Sequence, residues 1–153
     1  MGFACACFNL RRASRAVTQL WDLYFDDVGV KATQYTVLAA LAYEERKKPT
    51  VTDLAETLVL DQSSLSRNLA VLERDGLVRL VPGSDRRERI VQLTRSGKTA
   101  VQKGWPAWQK AQAAIKSALG STDLDAHLKV LRHLTRAALD LHDSAVRERP
   151  GRR

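Results

Sequence analysis

Apolar positions along the chain recur first with a helical period. From Asn9 to Val28 the residues Leu10, Ala13, Val17, Leu20, Trp21, Tyr24 and Phe25 share one face, which predicts a long first helix ended by Gly29. Thr33 is expected to cap a second helix whose face carries Val37, Leu38, Leu41 and Ala42, and the charged run Glu44 to Lys48 with Pro49 closes it. Thr52 is expected to cap a short helix over 53–58, with Asp53 complementing the positive end of its dipole. After a tight Val59-Leu60 connection, Asp61 caps a helix from Gln62 to about Arg74, with Leu65, Leu69 and Leu72 inward and Gly76 as its stop. Two short helices joined in this way read as a helix-turn-helix.

The period then shortens to that of strands. Leu77-Val78-Arg79-Leu80-Val81 and Arg89-Ile90-Val91-Gln92-Leu93 are β-rich, and Pro82-Gly83-Ser84-Asp85 between them is turn chemistry, so a two-stranded wing is expected. Thr94 caps a long helix over 95–119, bent where Pro106 removes a backbone donor. Residues 121–123 start a last helix reaching Val146, striped by Leu124, Leu128, Leu131, Leu134, Ala138 and Leu141. The fold class is mainly α (α+β): a winged helix-turn-helix with long N- and C-terminal helices.

Composition changes this picture in three ways. A chain of 153 residues, 44% of them apolar, supports one core, so a single domain is expected. The formal net charge of +8 suits a polyanionic partner, nucleic acid or an acidic surface. No apolar run approaches the ~20 residues needed to span a bilayer, and the opening residues lack the pattern of a signal peptide. A cytoplasmic protein without a membrane partner is expected. The tail over 147–153 has no apolar face and is expected to be a flexible basic arm.

The segment Asp61-Gln62-Ser63-Ser64-Leu65-Ser66-Arg67-Asn68 sets hydroxyls, amides and an arginine on the exposed first turns of a helix whose other face is leucine. A major groove calls for such a surface, because short donors and acceptors reach base edges and the helix-end amides welcome phosphate. Gln62, Ser63, Ser64, Ser66, Arg67 and Asn68 form the groove-facing set, with Thr52 beside them; Arg67 suits a guanine edge or a phosphate equally. Taken alone, the same residues also describe a solvated helix start. The wing shifts the balance, since Arg86, Arg87 and Arg89 crowd a hairpin tip suited to a minor groove or to phosphates, with Asp85 expected to orient Arg87.

These residues, together with Val51-Thr52-Asp53-Leu54-Ala55, Leu72-Glu73-Arg74-Asp75-Gly76-Leu77-Val78 and the run from Asp85-Arg86-Arg87 to Leu93-Thr94-Arg95-Ser96-Gly97, resemble the multiple-antibiotic-resistance regulator (MarR) family. The likeness is close over about 34–98, and extends to the flanking helices by length and placement. It implies a transcription regulator that binds double-stranded DNA as an obligate homodimer, with 1–32 and 98–146 as dimerisation helices around a winged core over 33–97. Paired recognition helices would lie about one DNA turn, ~34 Å, apart on a pseudo-palindromic operator. Repression within a stress response, relieved by a small ligand or by thiol chemistry, is the family's commoner habit.

The resemblance also implies a crevice for a small aromatic effector, and Trp21, Tyr24, Tyr35, Trp105 and Trp108 lie on the elements that would line it; plain packing is the competing reading. Cys5 and Cys7 have no downstream thiol to pair with, which argues against a disulfide-stapled scaffold. In a dimer four thiols can converge on a disulfide or a soft metalloid ion such as arsenite, against the alternative of apolar filler. His127, His133 and His142 form no i, i+4 pair, so neither a zinc site nor any required cofactor is expected. No phosphate loop, nucleophile elbow or His-Glu-x-x-His motif points to an enzyme. The rival to DNA binding is a winged-helix protein-interaction module, which would not need cations at Arg67, Arg86, Arg87 and Arg89.

Overall fold

The computed structural model describes residues 4–85, 88–120 and 123–148. Within them the order is α1 (Ala6–Tyr24), α2 (Ala32–Tyr43), α3 (Val51–Leu58), α4 (Gln62–Arg74), β1 (Val78–Pro82), β2 (Arg89–Leu93), α5 (Arg95–Ala118) and α6 (Leu124–Arg147), with short 3-10 turns at Asp26–Val28 and Glu45–Lys47. The mainly helical winged helix-turn-helix expected from the periodicity is therefore the observed architecture. The helix α5 continues through Pro106. Two compact units divide the chain, Met1–Ala111 and Gln112–Arg153.

Two of the expected caps are corrected. Thr33 does not open α2: the Ala32 amide donates to Asp22 Oδ1 at 2.7 Å, and the Lys31 amide donates to Gln34 Oε1 at 2.8 Å. A carboxylate ten residues upstream, on α1, thus fills the role assigned to a local hydroxyl, and only folding brings it there. Nor does Thr52 cap α3. Thr50 does, accepting from the Asp53 amide at 3.2 Å, while Asp53 Oδ2 accepts from the Thr50 amide at 2.9 Å. The result is a reciprocal capping box that satisfies two otherwise orphaned donors. Asp61 caps α4 as expected, with its Oδ1 2.8 Å from the Ser64 amide. Gly76 follows the helix in the left-handed region at φ 70°, where a glycine is favoured.

In the first unit, α2, α3, α4 and the hairpin enclose the core. Leu38, Leu54, Leu65, Leu69, Leu72, Val78 and Val91 are all but sealed from solvent, and Phe25 packs on Tyr35 with ring centres 4.5 Å apart. Each fully buried leucine contributes roughly 1.5–3 kcal/mol through loss of apolar surface. The hairpin is antiparallel, pairing Val78 with Leu93, Leu80 with Val91 and Pro82 with Arg89. A third segment joins it: Thr50 bridges Ile90, and the Val91 amide donates to Pro49 O at 2.9 Å. The start of α3 is thereby tied to the wing.

Two close approaches require glycine. A Cβ at Gly97 would stand 2.0 Å from the Leu77 carbonyl oxygen, and one at Gly104 would stand 2.1 Å from Tyr35 Cε2. Helix α5 can therefore lie on the base of the wing and on the Tyr35 ring. Thr94 tightens the first of these junctions, since its hydroxyl donates to Gly76 O at 2.7 Å and accepts from the Gly97 amide at 3.0 Å.

In the second unit, Asp123 caps α6 by accepting from the Asp125 amide at 2.9 Å. No residue of α6 is buried within the single chain.

Candidate nucleic-acid interface

The first turn of α4 is a hydrogen-bonded cluster centred on Asp61. Its Oδ1 accepts from Ser63 Oγ at 2.5 Å and its Oδ2 from Ser64 Oγ at 2.7 Å, in addition to the Ser64 amide. Arg67 Nη2 donates in turn to Ser64 Oγ at 3.3 Å. The hydroxyls of Ser63 and Ser64, then the Ser64 amide, hold the Asp61 carboxyl far below the usual carboxylate range, so it is ionised at neutral pH. Gln62 Nε2 donates to Thr52 Oγ1 at 3.2 Å, linking the two helices of the motif. Thr52, Gln62, Ser63, Ser66 and Arg67 are exposed, whereas Ser64 and Asn68 are half-buried. Sequence reasoning gave Asp61 a capping role only; the adjacent Ser63-Ser64 pair was the signal that its second oxygen would also be engaged.

The wing is fixed to this helix by a contact no local motif announces. Glu73, on the last turns of α4, accepts from the Leu80 amide at 3.1 Å and so occupies the free edge of β1. At the other end of the hairpin, the Gly83 amide donates to Glu88 O and the Glu88 amide to Asp85 O, each at 3.0 Å. Arg89 is exposed at the start of β2. Arg86 and Arg87, and with them the expected Asp85–Arg87 contact, lie outside the described residues. Between α3, α4 and the wing runs a groove of about 610 Å³, lined among others by Thr52, Gln62, Ser66 and Arg89. Three of its four candidate DNA-contacting residues thus come from the helix pair and one from the hairpin.

The aromatic candidates divide. Trp21, Tyr35 and Trp108 line a crevice of about 310 Å³ together with Val17, Phe25 and Ala39; Tyr24 and Trp105 do not line it. Trp105 instead stacks on Trp108 at 4.8 Å, with half its surface exposed. Tyr35 donates to Val101 O at 3.1 Å, and its burial raises the phenol pKa. The thiols of Cys5 and Cys7 are free and exposed at the start of α1, with Cys5 in extended backbone as the N-cap and Cys7 already helical. His127 sits 2.7 Å from the Asp123 carbonyl and His142 3.4 Å from Asp143, and no metal-binding cluster occurs among the described residues. No helix among them is long and apolar enough to cross a membrane.

Comparison with known proteins gives a consistent picture. The sequence model of the MarR family matches residues 28–88. The transcriptional activatory protein BadR of Rhodopseudomonas palustris is 31% identical, over 95% of this chain and 76% of its own length. The crystal structure of the M. tuberculosis transcriptional regulator MosR in complex with DNA is 34% identical, covers 90% of this chain and 98% of that one, and superposes with a TM-score of 0.81. A shorter match, 36% identical over 69 residues, falls on the phenylalanine–tRNA ligase alpha subunit of Pyrococcus furiosus, of which this chain spans only 13%. The relatives that match nearly the whole chain are regulators, not enzymes.

Proposed function

Because the chain belongs to the MarR family of transcription regulators, we propose that it binds double-stranded DNA sequence-specifically, as a homodimer on a pseudo-palindromic operator. The observation that carries this reading is the joint presentation of the α4 first turn and the wing, held together by the Glu73–Leu80 bond and by the Thr50–Ile90 bridge. A recognition helix that reads base edges needs a second, electrostatic anchor in fixed relation to it, and that pair of contacts supplies the relation. Thr52, Gln62, Ser63, Ser66 and Arg67 face the bases or their flanking phosphates, with Ser64 and Asn68 behind them; Arg86, Arg87 and Arg89 engage phosphates or the minor groove. The likeness to a regulator whose structure was solved on DNA supports the same reading. Such a role belongs in the cytoplasm.

The direct test is retention of fragments from a random duplex pool at low and raised salt. An inverted-repeat motif whose affinity falls steeply with salt is the expected result. Absence of any retained duplex at low ionic strength refutes the proposal.

Relief of repression is assigned to two places. The crevice bounded by Trp21, Tyr35 and Trp108 has apolar walls, with Thr18, Thr33 and Thr36 as polar handles, which suits a small aromatic effector. Cys5 and Cys7 are the sites for an oxidant or a soft metalloid; since Cys7 lies within α1, joint capture would unwind that helix's first turn. Titrating the protein–DNA complex with small phenols, peroxide or arsenite separates these routes, since only the thiol route disappears when both cysteines are replaced by serine.

A further inference from the structure

We infer that the Asp61 carboxylate fixes the hydrogen-bonding sense of the recognition turn, making Ser63 an obligate acceptor that reads an exocyclic amino group, adenine N6 or cytosine N4, in the major groove. This rests on the DNA-binding reading above and adds to it which chemical partner the residue selects.

A serine hydroxyl has one hydrogen and two lone pairs, whereas an ionised carboxylate can only accept. With Ser63 Oγ 2.5 Å from Asp61 Oδ1, the hydroxyl hydrogen must point at the carboxylate. What Ser63 turns outward is therefore lone-pair density. Ser64 is committed more fully: its hydrogen goes to Asp61 Oδ2 at 2.7 Å, and a lone pair receives Arg67 Nη2 at 3.3 Å. Half-buried, it relays between the carboxylate and the guanidinium. Asp61 is thus a positioning residue for both.

The consequence is selective because the groove offers both polarities. Phosphate oxygens, guanine O6 and N7, and thymine O4 are acceptors, and an acceptor-only Ser63 makes no bond to them; the amino groups of adenine and cytosine are donors. Arg67 has the opposite sense, a donor held by its link to Ser64, suited to guanine or phosphate. One helix turn therefore carries an acceptor at 63 and donors at 67, whose senses are set before DNA arrives.

The test selects duplexes from a random pool on the full-length wild type, Asp61→Ser and Ser63→Ala. Serine retains the capping function at 61 but is too short to hold the hydroxyl of Ser63, which is then free to rotate and donate. Wild type should enrich adenine or cytosine on one strand at one position of each half-site. Asp61→Ser should lose about threefold to tenfold of that preference and admit guanine or thymine there, in keeping with the net worth of one hydrogen bond. Ser63→Ala should lose the preference at that position and keep the rest of the motif, which leaves the inference testable even should Asp61→Ser fold poorly. A wild-type motif that both variants reproduce unchanged, or that Asp61→Ser weakens uniformly at every position, overturns the relay while leaving DNA binding intact. Failure of the wild type to enrich any duplex removes DNA binding, and this inference with it.

Discussion

At the scale of single residues, several side chains act through where the backbone puts them rather than through what they are. Thr50 and Thr52 are both plausible caps by composition, yet only Thr50 lies in extended backbone ahead of α3 with its hydroxyl on the Asp53 amide. Thr50→Ala is expected to lower stability by about 1 kcal/mol, whereas Thr52→Ala should leave it unchanged within about 0.5 kcal/mol. Equilibrium urea unfolding distinguishes them. The Thr50 amide, and then its hydroxyl, lower the Asp53 pKa in the folded state. That carboxylate therefore stabilises the fold above its unfolded pKa of ~4, and the contribution is lost as pH falls through the lowered folded value. The stability gap between wild type and Asp53→Ala should accordingly be widest above pH ~4 and narrow below it. A gap that does not vary with pH would contradict this assignment. Gly104 makes a steric case of the same kind: Gly104→Ala places a methyl against the Tyr35 ring, and a cost of roughly 1–3 kcal/mol is expected in the same assay.

At the scale of elements, the local periodicities were readable and the contacts between elements were not. The stripes Leu65, Leu69, Leu72 and the alternation around Val78 and Val91 identify buried faces because each element must hide one side of itself. Asp61 and Thr94 were legible as caps because each sits next to the helix it opens. Asp22 was not, since its partner amide at Ala32 lies across a turn. For the same reason Glu73 reads as an ordinary charged residue near a helix end until the free edge of β1 is placed beside it. Gly104 carries only a weak signal, an isolated glycine inside a helical pattern, and nothing in the spacing places the Tyr35 ring against it. Of the candidate interface, the polar turn of α4 was legible as chemistry, but the engagement of both Asp61 oxygens depends on rotamers that no spacing reveals. The wing offers the decisive element-level test. Arg89→Ala removes one cation from the hairpin and should reduce the slope of log K against log salt by about 0.9 if Arg89 meets a phosphate. Glu73→Ala keeps every cation but frees the β1 edge, so affinity should fall with the slope nearly intact. Fluorescence anisotropy across a salt series measures both, and identical slopes for wild type and Arg89→Ala would show that Arg89 meets no phosphate.

At the scale of the whole molecule, the proposed homodimer makes predictions of its own, because apolar side chains stand exposed along α1 and α6. On α6, Leu128, Leu131 and Leu139 line an open trough of about 450 Å³, and Leu141 is 71% exposed. On α1, Phe8, Leu10 and Val17 are each exposed as well. Monomeric proteins rarely leave an apolar trough such as the one on α6 open, and in the proposed dimer a second copy, burying on the order of 800 Å² per partner, would cover it. In that dimer, symmetry would couple the two recognition turns, because binding one half-site would raise the effective concentration at the other. Replacing Leu131 and Leu139 together by Glu should therefore act at two levels. Sedimentation should shift from dimer to monomer, since each new carboxylate would have to be desolvated in the interface. Affinity for a full inverted repeat should drop about 100-fold or more, towards that of the wild type for an isolated half-site, through loss of linkage alone. The two changes should appear together, with helical content by circular dichroism retained. A variant that remains dimeric while losing the repeat would mean that these leucines act on DNA by another route, and one that sediments as a monomer yet binds the repeat at full strength would mean that each chain reads its half-site alone.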